Sequence, residues 1–434
     1  ARRSGDVLTA LKHLSRAIEA ASAPSEPRLK KLLCDALLQK AQLEPRENAL
    51  STVERGLGLD PLPFLLLKAD LCLAQGKADL AKDCSRQALK LDPNSLPALR
   101  TLTDALMAAQ QFEPAVNGLW KVLQRQLKAA APPLALPFAV IAARHTGTLA
   151  ALTPALAALR QQSANPRAAP HALAAALCSY FSRRLGEAVN ELFVARTNPS
   201  FRDFCTWLLI DAYLHDDSAL LYSNFFHKDK FKVLDAPRLL AVERLAGQLG
   251  CAYAPEAEAL RAALPFLRDP AQAEQCLPQL ERLLSEDAHP HLRSMLLYLL
   301  ALVYLRTKNG ERLKDCLVRM RELRFAPRHG WDEYYFRAQL LCADTLLSKD
   351  KLPPAKALID TALAHCKACL PAYDYLCLHN EKTEEGLLAP LSAAHALAGT
   401  RDPNIACKLA KQLLKEGQHL ECYKVCKQLL ELTP

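Results

Sequence analysis

Residues 334–369 read YYFRAQLLCADTLLSKDKLPPAKALIDTALAHCKAC, residues 370–403 read LPAYDYLCLHNEKTEEGLLAPLSAAHALAGTRDP, and residues 404–434 read NIACKLAKQLLKEGQHLECYKVCKQLLELTP. Laid over one another, the three segments bring small residues into columns. Ala343, Cys377 and Ala410 share the first column. Ala355, Ala389 and Cys422 form a second, and Ala362, Ala396 and Leu429 a third. Breaks such as Asp402-Pro403 and Thr433-Pro434 punctuate the segments. Small side chains recur where two helices approach closely. Ala355, Ala362, Ala389 and Ala396 are therefore expected to be nearly buried between paired helices.

A helix pair repeating every ~34 residues is the tetratricopeptide pattern. One such unit cannot bury its apolar face alone, so units must stack on their neighbours. The expected fold class is all-α, a tetratricopeptide-repeat (helix-turn-helix) α-solenoid superhelix. Leu62–Ser95 is the clearest upstream unit, with Ala69, Ala81 and Ala88, Gly76 at its turn, and Pro93 closing it. His171–Arg196 restores the pattern with Ala188 and Ala195. Together with Ala343, Ala355, Ala362, Cys377, Ala389, Ala396, Ala410, Cys422 and Leu429, these are the expected repeat-packing positions.

The rest of the chain is organised around that register. Residues 1–128 read as tetratricopeptide repeats, the first of them truncated. The chain starts at Ala1 in mid-repeat, as expected of a fragment. Residues 129–170 are rich in Ala and Pro and read as a degenerate repeat, with helices expected near Leu136–Arg144 and Leu149–Gln161. Residues 171–290 are irregular helical repeats, interrupted from His215 to Pro237 by a long connection carrying Phe225, Phe226 and Phe231. Residues 291–434 are the C-terminal repeats, with a loop at Phe325–Asp332 that carries Trp331.

With 434 residues the chain exceeds the size at which one core usually stops growing, ~250–300 residues. A repeat array escapes that limit because each unit packs only on its neighbours. The net charge of +9 is modest and dispersed. Its densest basic run, Arg319, Arg321, Arg324 and Arg328, reads as a solvated face, the other reading being a surface for an acidic partner. A nucleic-acid footprint needs a clustered basic patch with stacking aromatics, and aromatics are only 6%. No nucleic-acid partner is expected. No run approaches the ~18 apolar residues of a membrane span, so no transmembrane segment is expected either. The 15 cysteines are odd in number, and many fall at helical packing positions. Free cysteine acts there as a small hydrophobe, which favours a reducing compartment.

Cys366-x-x-Cys369, near Cys377 and His379, is the one arrangement that invites a metal reading. Tetrahedral zinc needs four convergent ligands. Cys377 and His379 are rotated by ~200° from each other on a helix, so one ion cannot readily take both, and no metal is expected. Cys422-x-x-x-Cys426 shares one helical face and is expected in the core. The sequence holds no Gly-rich phosphate loop and no Gly-x-Ser-x-Gly turn. Glu381, Glu384 and Glu385 cluster where an inter-helix turn would be solvated. No catalysis, cofactor or small-molecule ligand is expected. A clamp for a peptide carboxylate would need Lys and Asn on successive inner helices, where this chain has Leu66, Asp70 and Thr101, or Leu340 and Asp344.

Four segments carry a more specific likeness: Ala338–Leu347, Cys369–Leu376, Asn380–Glu384 and Asp402–Ala410. In that order they resemble the C-terminal end of the tetratricopeptide repeat protein 21 family, the all-repeat subunit of intraflagellar-transport complex A. Weaker similarity runs through Arg319–Trp331, Leu173–Arg196 and Phe201–Tyr213, and residues 1–170 match only as repeats. The resemblance implies a ciliary scaffold that docks on other protein subunits of that complex. It implies a place at the cilium or flagellum and its base, on the cytoplasmic side, with a role in retrograde transport and cargo entry. The other readings are a soluble tetratricopeptide-repeat adaptor for client peptides or proteins outside cilia, or a repeat domain that regulates an enzyme.

Overall fold

The computed structural model describes residues 4–432 except 21–26, 164, 166, 183, 215–235, 251–252, 285–289, 329–330 and 399–402. The connection expected from His215 lies almost wholly outside the described residues. Twenty-three α-helices are described, and no strand is found among the described residues, only an isolated bridge between Arg328 and Trp331. The chain divides into two compact units, 1–138 and 139–434.

The first unit contains α1 (Ser4–Ala20), α2 (Pro27–Leu43), α3 (Arg46–Leu57), α4 (Pro61–Ala74), α5 (Ala78–Leu91), α6 (Leu96–Ala108) and α7 (Phe112–Lys128), and ends within α8 (Leu136–Thr146). Each helix from α1 to α6 packs on the next, and α4 also meets α2 and α6. Proline starts α4 at Pro61, where a missing N–H costs nothing. Ser95 caps α6 by accepting the amide of Ala98. Phe64 reaches the core by lying against Gly56, where the ring leaves no room for a Cβ. Ile18, Leu37, Val53 and Phe64 belong to the buried cluster of the first four helices.

The second unit continues with α9 (Leu149–Gln162), α10 (Ala169–Phe181), α11 (Leu185–Ala195), α12 (Arg202–Leu214), α13 (Ala236–Ala246), α14 (Ala254–Arg268), α15 (Ala273–Leu283), α16 (Pro290–Arg306) and α17 (Gly310–Arg321). It ends with α18 (Glu333–Leu347), α19 (Leu352–His365), α20 (Leu370–Thr383), α21 (Leu388–Ala398), α22 (Pro403–Lys415) and α23 (His419–Leu432). From α9 onward every helix packs on its successor, while α14, α16, α18 and α20 also touch one another in that order. The fold class is thus an all-α solenoid of helix pairs. Helices α10, α12, α16 and α18 are buried on nearly every face. Their sequences are largely apolar all round, as a helix enclosed by others must be.

Seven of the described turns between helices share one chemistry. Gly76, Gln110, Gly147, Lys308, Asp350, Glu384 and Gly417 all have φ between 54° and 76°. The next amide in each case reaches back five residues. Lys77 bonds Cys72 at 2.8 Å, Gln111 bonds Leu106 at 2.9 Å, Lys351 bonds Leu346 at 2.9 Å and Gln418 bonds Leu413 at 2.8 Å. This is the Schellman closure, which satisfies carbonyls that a helix end leaves open.

Candidate functional site: a closed polar and aromatic core

Within residues 139–434, the end of α8 meets the turn between α19 and α20. The last carbonyls of α8 have no partner inside their own helix. The amide of Lys367 donates to the carbonyl of His145 at 3.1 Å, and that of Ala368 to the carbonyl of Arg144 at 3.2 Å. His145 Nδ1 donates to the carbonyl of His365 at 2.7 Å. A carbonyl only accepts, so Nδ1 must carry the proton. Helix α9 also touches α21.

Inside this closure the Arg144 guanidinium meets the Glu333 carboxylate at 2.8 Å, with side chains only 5% and 9% exposed. It also lies over the rings of Phe181 at 4.3 Å and of Trp331 and Phe336 at 5.7 Å. Burial works against its charge, yet the adjacent Glu333 carboxylate holds the guanidinium above its ordinary range. Two more arginine–carboxylate contacts follow, one buried and one half-buried. Arg337 lies 3.4 Å from Asp211, whose carboxylate also accepts the Tyr180 hydroxyl. Arg328 pairs with Glu256 and stacks 4.0 Å over Tyr253. His291 sits between Glu256 and Asp332, at 3.8 Å and 4.0 Å.

Trp331 is buried between Tyr180 at 5.1 Å, Phe181 at 5.2 Å and Phe204 at 6.3 Å. Two backbone hydrogen bonds to Arg328, of 2.9 and 3.1 Å, hold it there. Asp332 then caps α18 by accepting the amide of Tyr335 at 3.1 Å. Burial drives this carboxyl well above its usual range, and the amides of Tyr335 and Ala326 oppose the shift. Trp331 and Asp332, at the end of this loop, are therefore core residues. The aromatics and paired charges of this network tie α8, α10, α12, α14 and α18 to one another.

The packing residues read from the sequence fall unevenly. Ala69, Ala81, Ala88, Ala188, Ala195, Ala343, Ala355, Ala362, Cys377 and Ala410 are all buried. Cys422 and Leu429 are half-buried against the cluster of Leu391, Ala406, Leu409, Leu413 and Val425. Ala389 and Ala396 are exposed, which corrects their assignment to the buried columns. Helix α21 instead buries Leu391 and Ala394, because its Ala- and Leu-rich sequence offers two faces of nearly equal apolarity. Cys426 is also exposed, where the core was expected. The face reading for Arg328 is corrected too, since that side chain is paired and stacked.

Cys366 and Cys369 lie buried at the return contact. Burial pushes the Cys366 thiol up to about 11. Among the described residues no three His, Cys, Asp or Glu side chains are grouped as a metal site. Thr101 donates to Asp70 at 3.1 Å, and Asp344 is buried with its carboxyl raised to about 7 by burial. No described helix is long and apolar enough to cross a membrane. The apolar surface that stands out is on the last pair, where Leu414, Leu420, Tyr423 and Leu430 are exposed.

Helix pairs stacked in sequence, with small residues at their junctions, define a helical-repeat protein. The model of the tetratricopeptide repeat protein 21 C-terminal ARM domain matches residues 254–434. Through that part the chain is similar to the tetratricopeptide repeat protein 21 family. It is 26% identical over 137 residues to tetratricopeptide repeat protein 21B of Homo sapiens and of Mus musculus, covering 31% of this chain. The match spans 10% of those relatives' length. Among solved structures, a chain of Naa15/Naa10 bound to HypK-THB aligns with 97% of this chain and 68% of its own, at 14% identity and TM-score 0.28. A human IFIT1 dimer with m7Gppp-AAAA aligns over 100% and 96%, at 13% identity and TM-score 0.28.

Proposed function

We propose that this chain is a non-catalytic protein–protein interaction scaffold, a structural subunit of intraflagellar-transport complex A that supports retrograde ciliary transport and cargo entry. The observation that carries the reading is the family match over residues 254–434. A repeat array of this family would dock on other protein subunits, at the cilium or flagellum and its base. Four segments would divide the labour: repeats at 1–128, a degenerate repeat at 129–170, irregular repeats at 171–290 and C-terminal repeats at 291–434. The packed network around Trp331 supports a structural role, because it pairs charges between helices far apart in sequence.

The experiment is recovery of the tagged full-length protein from ciliated cells at high salt. A scaffold keeps fixed partners at constant stoichiometry and is lost from cilia together with them. Partners that exchange with conditions, in cells with or without cilia, would instead favour the soluble adaptor. Removing residues 403–434 gives a sharper version, since it deletes the exposed apolar residues of α22 and α23. Weaker recovery of the complex with the upstream repeats still folded is the expected result.

A further inference from the structure

We propose that α8 and α9 form a strap whose return contact with residues 365–370 latches the second unit closed, in two discrete states. The contact is not part of the neighbour-to-neighbour packing of a repeat array. It joins Arg144 and His145 to His365, Lys367 and Ala368 through three hydrogen bonds of 2.7 to 3.2 Å. A second touch joins α9 to α21. Separating α8 from residues 365–370 breaks no packing between the consecutive pairs from α10 to α19, while α9 stays tied to α10 by packing and to α11 by the Arg160–Glu191 pair at 2.8 Å, so the latch can open while the array persists.

What makes the opening discrete is the charge sealed beneath it. Arg144 belongs to the strap and Glu333 to α18, and both are almost fully buried. A strap lifted part of the way would leave each charge dry and without its partner, which is far costlier than either end state. Closed, the charges pair under Phe181, Trp331 and Phe336. Open, both are hydrated. The intermediate is disfavoured, and a bistable element results.

Gly147 provides a way to test this without removing a charge. It turns the chain from α8 to α9 at φ +76°, and a Cβ there would stand 3.3 Å from the Cβ of Lys367. Gly147→Val adds a branched side chain and wedges the latch. Gly417→Val is the matched control, because Gly417 has the same φ of +76° and nothing within 4 Å. Hydrogen exchange is followed on the full chain in the peptides covering 365–372 and 144–150. The latch predicts at least tenfold faster exchange there in Gly147→Val and in Glu333→Gln, with α16 and α17 unchanged and Gly417→Val indistinguishable from the native chain in those peptides. Unchanged exchange in both latch variants overturns the proposal. So does an acceleration spread evenly over residues 139–434, which would make the contact ordinary core.

Discussion

Arg144 on α8 and Glu333 on α18 come from distant parts of the sequence yet stand 2.8 Å apart, each almost wholly withdrawn from water. A repeat array stabilised only by nearest neighbours has no use for such a pair. Its worth lies in the asymmetry of buried ion pairs, where losing one partner harms more than losing both. Arg144→Ala is expected to destabilise the second unit by about 3–5 kcal/mol. The double change Arg144→Met with Glu333→Leu should recover most of that. Denaturant midpoints of the two variants measure it, and equal losses would show that the pair is not coupled.

The register of α21 gives a second test. Ala355 and Ala362 are enclosed, so Ala362→Leu should overpack the junction and cost about 1–3 kcal/mol. Ala389→Leu and Ala396→Leu add methyl groups to an exposed face and should change stability by no more than about 0.5 kcal/mol. Thermal melts of all three would reveal a slipped register if the order were reversed.

Asp344 makes stability depend on pH. Its folded-state carboxyl titrates at about 7 because it is buried, whereas an unfolded aspartate titrates at ~4. Between those values the folded chain binds the extra proton, so its stability falls as pH rises from about 4 through 7. Asp344→Asn removes this dependence and should raise stability at pH 8 by about 1–4 kcal/mol. Parallel denaturation at pH 5 and pH 8 measures the change. A native-like pH slope in the variant would clear Asp344 of responsibility.

The left-handed turns are also open to test. Gly76 has φ +75° and open space within 4 Å of where a methyl would sit, so Gly76→Ala introduces backbone strain without a clash. A loss of about 1–2 kcal/mol is expected from unfolding curves. Glu384 already bears such strain at φ +58°, and Glu384→Gly should give some of it back.

Thiol labelling reads the burial of the cysteines directly. Cys407 and Cys426 are exposed and Cys422 is partly so, while eleven other described cysteines are buried. Under native conditions the first two should react quickly with a thiol reagent, and the buried set only on unfolding. Fast labelling of Cys366 or Cys369 would contradict the closed return contact.

What could be read from the sequence was whatever repeats. The period of ~34 residues placed the helix pairs, and Ala355, Ala362, Cys377 and Ala410 reached buried positions. It also placed the turns, since Asp350 and Glu384 share one conformation a single repeat apart. Trp331, Arg144 and Glu333 repeat nowhere. Their partners are set by the closure of the second unit, and contacts between segments so distant in the chain leave no period to detect. Arg328 illustrates the cost, because a run of arginines normally marks solvent and nothing nearby in sequence points to Glu256. Helix α21 failed for a different reason. Its alanines stand on both faces, so composition could not choose between Ala389 and Leu391.

The bonds from Lys367 and Ala368 to the end of α8 also order events in time. A ribosome makes α8 long before it makes the residues that close over it. At about 5–20 residues per second, the stretch between them takes roughly 10–45 s to appear. During that interval the carbonyls of Arg144 and His145 lack the amides of Ala368 and Lys367 that close over them in the finished protein. Slowing elongation ahead of Lys367 would prolong that interval.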